Sequence, residues 1–378
     1  MFARRSTFAW SLVAIFTAWT FPARDALAQG PKGGEEYAKR IRERLKGAKQ
    51  LHIVKDKATS RSMSMAAARG ALGTADDREG PREVTVGGEK LTVVELPIER
   101  DDQTSRAIAA AEEKAELTPL LFAITPELND PPPAPSALSR SAGTGGGPEE
   151  SVKIIGAPAL WRKNLRGAGV VVAVVDTGVS RHSCFENRLD IANGAVFLNG
   201  RQPGSMIMDV KGHGTHVAGT IAGSEASGFG VAPESRILPI QVLDERGNGN
   251  ELDIIRGVEY AIDNGAKVIN LSLALVDNQG RPARTPIPER WREVAELALA
   301  KNVALIAAAG NSNATFVSAP ASFPPPNVVG VGAVFLDGRR WSDPARGQGS
   351  NFGSGQFNAS KPDISAPGVS IYSAHNRA

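Results

Sequence analysis

From Ser151 onward the chain alternates between two textures. Short apolar, β-branched runs without polar alternation predict strands buried on both faces. They are "GVVVAVVD" (169–176), "RILPIQVL" (236–243), "AKVINLSL" (266–273), "NVALIAAAG" (302–310) and "NVVGVGAV" (327–334). Between them "GTHVAGTIAG", "ELDIIRGVEYAIDNG" and "PERWREVAELALAKN" carry apolar residues at helical spacing. In the last, Val294, Leu297 and Ala298 mark the stripe and Lys301 ends it. Strand and helix in alternation predict an α/β fold: a doubly wound, mostly parallel sheet, with its site at the carboxyl ends of the strands.

A smaller pattern precedes it. "EEYAKRIRERLKGAK" predicts a charged helix, "KLTVVELPI" a strand, "QTSRAIAAAEEKAEL" a helix and "PLLFAITPEL" a strand. A Gly/Ala/Asp-rich stretch near residues 66–82 lies among them. Together they make a small α+β unit over residues 29–125. "NDPPPAPSALSRSAGTGGGPEE" follows, and its Pro and Gly runs exclude a packed core, so residues 126–150 form a linker to the main domain at 151–378.

At the start, Arg4 and Arg5 precede the apolar run "FAWSLVAIFTAWTF", and "ALA" (26–28) offers the small residues of a processing site. That order predicts a signal peptide over residues 1–28, Gln29 as the new terminus, and a secreted or periplasmic protein. The run falls short of the ~20 residues of a membrane span, so no membrane association is expected after cleavage. Hydrophobic residues at 42% and charged residues at 22% suit a soluble globular chain. The net charge of +3 comes without a basic stripe or interleaved aromatics, which argues against a nucleic-acid partner. With Cys184 as its single cysteine, the chain forms no internal disulfide, and its core must supply the stability.

Three places carry candidate chemistry. "VVVAVVDTG" drives a strand into Asp176, either a catalytic carboxylate or an Asp capping the next turn. A phosphate-binding loop is excluded there, because the glycines of "RGAG" precede the strand instead of following it. "GHGTHVAG" sets His213 at a helix N-terminus, where the dipole disfavours the imidazolium and leaves the ring able to accept a proton. His216, one turn later inside the apolar run, reads as a packed residue. A metal pair remains an alternative, though zinc helices space their histidines at i and i+4 with a Glu between. "VALIAAAGNS" delivers Asn311 at a strand end, as an oxyanion donor or as a turn residue.

Taken together and in this order, Asp176, His213 and Asn311 resemble the subtilisin-like serine proteases. The resemblance runs from "IGAPALWRKNLRGAGVVVAVVDTG" to "KPDISAPGVSIYS" and includes "SNFGS" and "FPPPNVVGVGAV". It implies that Asp176 orients the imidazole, His213 is the general base and Asn311 binds the oxyanion. It also implies a cleft with Ser272, Leu273 and Ala274 on one edge and Gly247 to Gly249 on the other, with Ala308, Ala309 and Gly310 walling the pocket for the residue before the cut. Partners would be extended polypeptides and the chain's own residues 29–125, which loosely resemble the family's inhibitory pro-domain. The chemistry would need no cofactor. Many members hold a structural calcium through an Asp in "HPDL"; here "HSCF" puts Cys184 and Phe185 in that place, and a thiol is a poor calcium ligand. Ala274 stands where the family has Gly, which is expected to narrow the cleft.

The family's nucleophile sits in a "GTSMA"-like block some tens of residues after "APG". Residues 1–378 contain no such block. Ser370 and Ser373 come too early, and "SMSMAA" lies in the leader without the Gly-Thr. The expectation is a protease chain truncated before its serine and inactive as it stands. Two alternatives from other classes are a non-catalytic protein that binds extended peptides, and a metal-dependent hydrolase using His213, His216 and Asp176.

Overall fold

The computed structural model describes residues 32–72, 80–98, 102–125, 149–199, 209–283, 289–324, 328–355 and 359–376. The expected signal peptide and the linker up to residue 148 lie outside the described residues. The N-terminal unit contains α1 (Lys32–Arg44), β1 (Lys49–Lys55), α2 (Met65–Leu72), β2 (Arg82–Val86), β3 (Glu89–Pro97), α3 (Asp102–Lys114), β4 (Glu116–Pro119) and β5 (Phe122–Ile124). Its sheet runs β2-β3-β1-β4, every pair antiparallel. Successive side chains leave opposite faces: Val54 and Val94 pack on Ala68 and Ala71 of α2, whereas Ile53, Val84 and Leu91 face the other way.

Several expectations for this unit need correction. The charged helix stops at Arg44, Gly47 turns the chain at φ 73, and "KQLHIVK" becomes β1. The stretch near 66–82 holds α2, which covers one face of the sheet. "PLLFAITPEL" is not one strand. Pro119 ends β4, and β5 leaves this sheet altogether.

The main domain enters through α4 (Glu150–Ile154) and α5 (Ala157–Trp161). It continues as β6 (Val171–Asp176), β7 (Ala195–Val196), α6 (His213–Ala222), β8 (Arg236–Gln241), β9 (Asn248–Asn250) and α7 (Glu251–Asp263). Then follow β10 (Val268–Leu271), β11 (Ala274–Val276), α8 (Glu289–Ala300), β12 (Ala304–Ala308), β13 (Val328–Val334) and β14 (Ile364–Pro367). The seven-stranded sheet runs β14-β13-β12-β10-β6-β8-β7, with all pairs parallel. β6 shows why its sequence lacks polar alternation: Val172 and Val174 meet Ala218 and Ala222 of α6, while Ala173 and Val175 face the cluster that holds Ile255 and Val258 of α7. The chain steps from β6 to β8 on one side and returns past it to β10 on the other. Beside β6 the strand order therefore reverses, which is where such sheets open a crevice.

On α8 the buried stripe is Trp291, Val294, Ala295 and Ala298; Leu297 is 36% exposed and lies outside it. The second face of the N-terminal sheet has no solvent side. Val84, Leu91 and Leu120 join Ile255, Val258 and Ile262 of α7 in one apolar cluster, so α7 is packed between two sheets.

Candidate active site

Asp176 ends β6 fully buried, and His213 opens α6 after Gly212, whose φ of 87 allows the tight entry. A Cβ on Gly214 would lie 2.0 Å from the Gly178 carbonyl, so only glycine lets the first turn of α6 rest on the loop after Asp176. Nδ1 of His213 then sits 2.8 and 2.9 Å from the two Asp176 oxygens. With Nδ1–H donating to a carboxylate, the lone pair is left on Nε2, which makes no hydrogen bond among the described residues. Asp176 Oδ1 also accepts the Thr177 N–H at 2.7 Å, fixing the carboxylate plane.

A buried residue that the sequence did not single out braces this pair. Asp209 Oδ1 accepts the Thr177 hydroxyl and the Gly212 N–H, each at 2.8 Å. Its Oδ2 accepts the Thr215 N–H and hydroxyl, also at 2.8 Å each. Burial pushes the Asp209 carboxyl above its usual range, against these donors. One carboxylate thereby ties the loop after Asp176 to both flanks of His213. Its only sequence signal is an acid four residues before a histidine. Asp209→Ala strands several buried donors, each worth about 1–3 kcal/mol, so urea unfolding should show a loss of about 3 kcal/mol. A loss below about 0.5 kcal/mol, the level of an ordinary surface change, would remove the bracing role.

His216 faces elsewhere: its Nε2 donates to the Ile371 carbonyl at 3.1 Å, and burial holds its pKa below the usual value. Asn311 follows β12 at the same carboxyl edge of the sheet, with β10 between β12 and β6. Its side-chain amide makes no hydrogen bond among the described residues. The loop around it is held by Asn351, another residue the sequence did not mark as a site. Asn351 Oδ1 accepts the Ser312 N–H, the Ser312 hydroxyl and the Ala314 N–H at 2.9–3.0 Å. Its own N–H donates to the Gly310 carbonyl at 2.9 Å. Of the neighbouring residues, Ala308 is half-buried, whereas Ala309 and Gly310 are buried.

The two expected cleft edges hold a strand of the chain itself. β5 lies between β9 and β11, antiparallel to both: Ala123 stands opposite Gly249 and Leu275, and Ile124 opposite Asn248 and Ala274. The Thr125 N–H continues the ladder to the Gly247 carbonyl at 3.1 Å. Ala274, with its methyl group, thus stands in register with an extended strand. Beside it, Ser272 accepts a hydrogen bond from Asn270 at 2.8 Å, and Leu273 is core. Over this strand lies α1, whose Tyr37 and Ile41, with Leu45 just past its end, cover Phe122 and Ile124. Arg44 donates to the Thr125 and Gly247 carbonyls at 2.7 Å each.

The position where the resemblance implies a calcium ligand does not fit the ion. Cys184 packs with Phe185 in an apolar cluster, and burial pushes its thiol up to about 11.

The fold is thus an α/β protein with a buried histidine–carboxylate pair at the switch point of a doubly wound sheet. The model of the subtilase family, peptidase S8, matches residues 167–378, and the chain belongs to that family. Over 222 residues it is 38% identical to subtilisin Savinase of Lederbergia lenta, covering 58% of this chain and 71% of that protein. The alkaline protease of Alkalihalobacillus alcalophilus is likewise 38% identical over 222 residues, but the match covers only 50% of that protein. A subtilisin of Bacillus pumilus is 35% identical over 224 residues, with 58% of this chain and 72% of that protein covered. Among the described residues no helix is long and apolar enough to cross a membrane.

Proposed function

We propose that the chain is the precursor form of an exported serine endopeptidase that cuts extended polypeptides, with the nucleophile absent from residues 1–378. The observation that carries this is the His213–Asp176 pair in a domain whose two cleft edges already hold an extended strand. Asp176 keeps the proton of His213 on Nδ1, so Nε2 takes the proton of a serine hydroxyl as its oxygen attacks the peptide carbonyl. The same Nε2–H later protonates the leaving amine. The Asn311 amide donates to the oxyanion that forms in between. Residues 29–125 act as an inhibitory pro-domain, with β5 seated where substrate binds. The product is secreted or periplasmic.

The two described serines that follow "APG" do not fit the nucleophile. The Ser373 hydroxyl donates to the His216 carbonyl and accepts from Thr220, and Ser370 lies in an exposed turn at φ 55. A fluorophosphonate reacts with a serine whose hydroxyl a neighbouring base activates. Residues 1–378 should not label. A chimera continued after residue 378 with the corresponding C-terminal segment of Savinase should label, and should lose labelling with His213→Ala. Stoichiometric labelling of residues 1–378, abolished by changing Ser370 or Ser373, would show the nucleophile to be misplaced. Failure of the correctly folded chimera to label would favour a peptide-binding protein without chemistry.

A further inference from the structure

α7 separates the two sheets, and two of its carboxyl groups point at the N-terminal unit. Glu251, first residue of the helix, grips one residue of the segment before β5 at both polar backbone groups. Its N–H donates to the Leu121 carbonyl at 3.1 Å, and its carboxyl accepts the Leu121 N–H. Two turns on, Glu259 faces Gly87 in the β2–β3 turn: a Cβ on that glycine would lie 3.6 Å from Glu259 Oε1. Both contacts exist only while the N-terminal unit is docked.

We propose that Glu251 and Glu259 make the docking of the N-terminal unit pH-dependent, holding β5 in the cleft while they carry protons and loosening it when they ionise. This rests on the reading of residues 29–125 as the inhibitor of the cleft. The groups facing each acid are few. Against Glu251 stand the Leu121 N–H, the Arg290 guanidinium and the Trp291 indole, the last two from α8. The buried Oε2 of Glu251 nonetheless has no hydrogen-bond partner. Burial outweighs these partners and raises the carboxyl to about 7. Against Glu259 stand the Gly87 N–H, Asp263 and Arg256 of α7, and Glu293 of α8; burial comes first and the two acids add to it, so this carboxyl also moves up. Arg256 is shared with Asp253 at 3.2 Å, which weakens its claim on Glu259. From the hairpin itself, Lys90 is engaged by Glu83 at 2.9 Å.

The sign follows from linkage. A carboxyl raised in the docked state binds its proton more tightly there than after release. Docking is then strongest below the ordinary Glu value of 4.5, weakens as pH climbs to about 7, and is flat above. For Glu251 that interval sets a ceiling of about 300-fold in the docking constant, and Glu259 acts in the same direction.

The test uses the 378-residue chain and the exchange of the Thr125 amide, which reports β5 through its bond to Gly247. Its protection factor, corrected for the intrinsic rate at each pH, should fall at least about tenfold between roughly pH 5 and 8. Amides of β6 should hold steady. Glu251→Gln keeps an acceptor for Leu121 but cannot ionise, so protection should stay high and most of the pH dependence should vanish; Glu259→Gln should remove the remainder. A flat wild-type profile with Thr125 well protected, or a Glu251→Gln chain whose protection falls like wild type, overturns the inference alone. Thr125 unprotected at every pH in an otherwise folded chain overturns the inhibitor reading, and the inference with it.

Discussion

In the Savinase-completed chimera, Asp176→Asn should lower kcat by about 10⁴-fold while KM moves by less than about threefold. The reason lies in the second hydrogen bond to the carboxylate. Asp176 Oδ1 already accepts the Thr177 N–H at 2.7 Å, a backbone donor that cannot rotate away. An asparagine in this place turns its carbonyl to Thr177 and its NH₂ to His213. Facing a donor, Nδ1 becomes the acceptor and the ring proton moves to Nε2, so the base holds a proton where it should take one. Nothing in the cleft edges or in β6 packing changes, because the two side chains have the same shape. The check is steady-state hydrolysis of a peptide anilide, with thermal unfolding as the control for folding. A loss of less than about tenfold at unchanged stability would mean that His213 is not the base.

The main domain was legible because its signals are local. A strand buried on both faces must be apolar at every position, and "VVAVVD" shows this without knowledge of its neighbours. Asp176 and His213 were legible for the same reason, each standing in a short glycine-flanked motif at an element boundary. The N-terminal unit was read less well. β1 begins with Lys49 and Gln50, and its His52 is buried against the Gln50 carbonyl at 3.0 Å; on paper these polar residues hide a strand. α2 is short and built mostly of Ala, Gly and Arg with little apolar periodicity, so its stretch carried no element assignment.

Long-range polar hubs left even less trace. Asp209 and Asn351 resemble ordinary turn residues until folding brings their donors around them. The seating of β5 is the clearest case. Its three residues are all apolar, which says only that the strand is buried, and the partners that decide its sheet lie in β9 and β11, far along the chain. Periodicity reports which face of a strand is buried but carries no information about which strand it meets.

That seating makes Ala123 the position where a single side chain decides whether the cleft is blocked. Ala123 is 0% exposed, opposite Gly249 and Leu275, and it belongs to the core that contains Leu243, Leu252 and Leu273. The wall beside it is closed: a Cβ on Gly249 would already stand 2.3 Å from the Val242 carbonyl. An indole has no space there. Overpacking of this kind costs about 1–3 kcal/mol and sometimes more, and the strain will be released where the structure is weakest. The main sheet is held by seven strands and two helical layers, whereas β5 is three residues long. Ala123→Trp should therefore drive β5 out and leave the main sheet intact. Thr125 amide protection should drop about 10–100-fold, the equivalent of that cost, with the amides of β6 and β10 unchanged. A labelled peptide with the sequence of residues 119–125 should then bind the variant at least about tenfold more tightly than wild type, since it no longer competes with a tethered copy of itself. Ala123→Gly, which adds no volume, should keep both properties of the wild-type chain. Equal peptide binding by wild type and the Ala123→Trp chain, with Thr125 still protected in both, would mean that Ala123 does not fill the cleft and that the N-terminal unit does not block it.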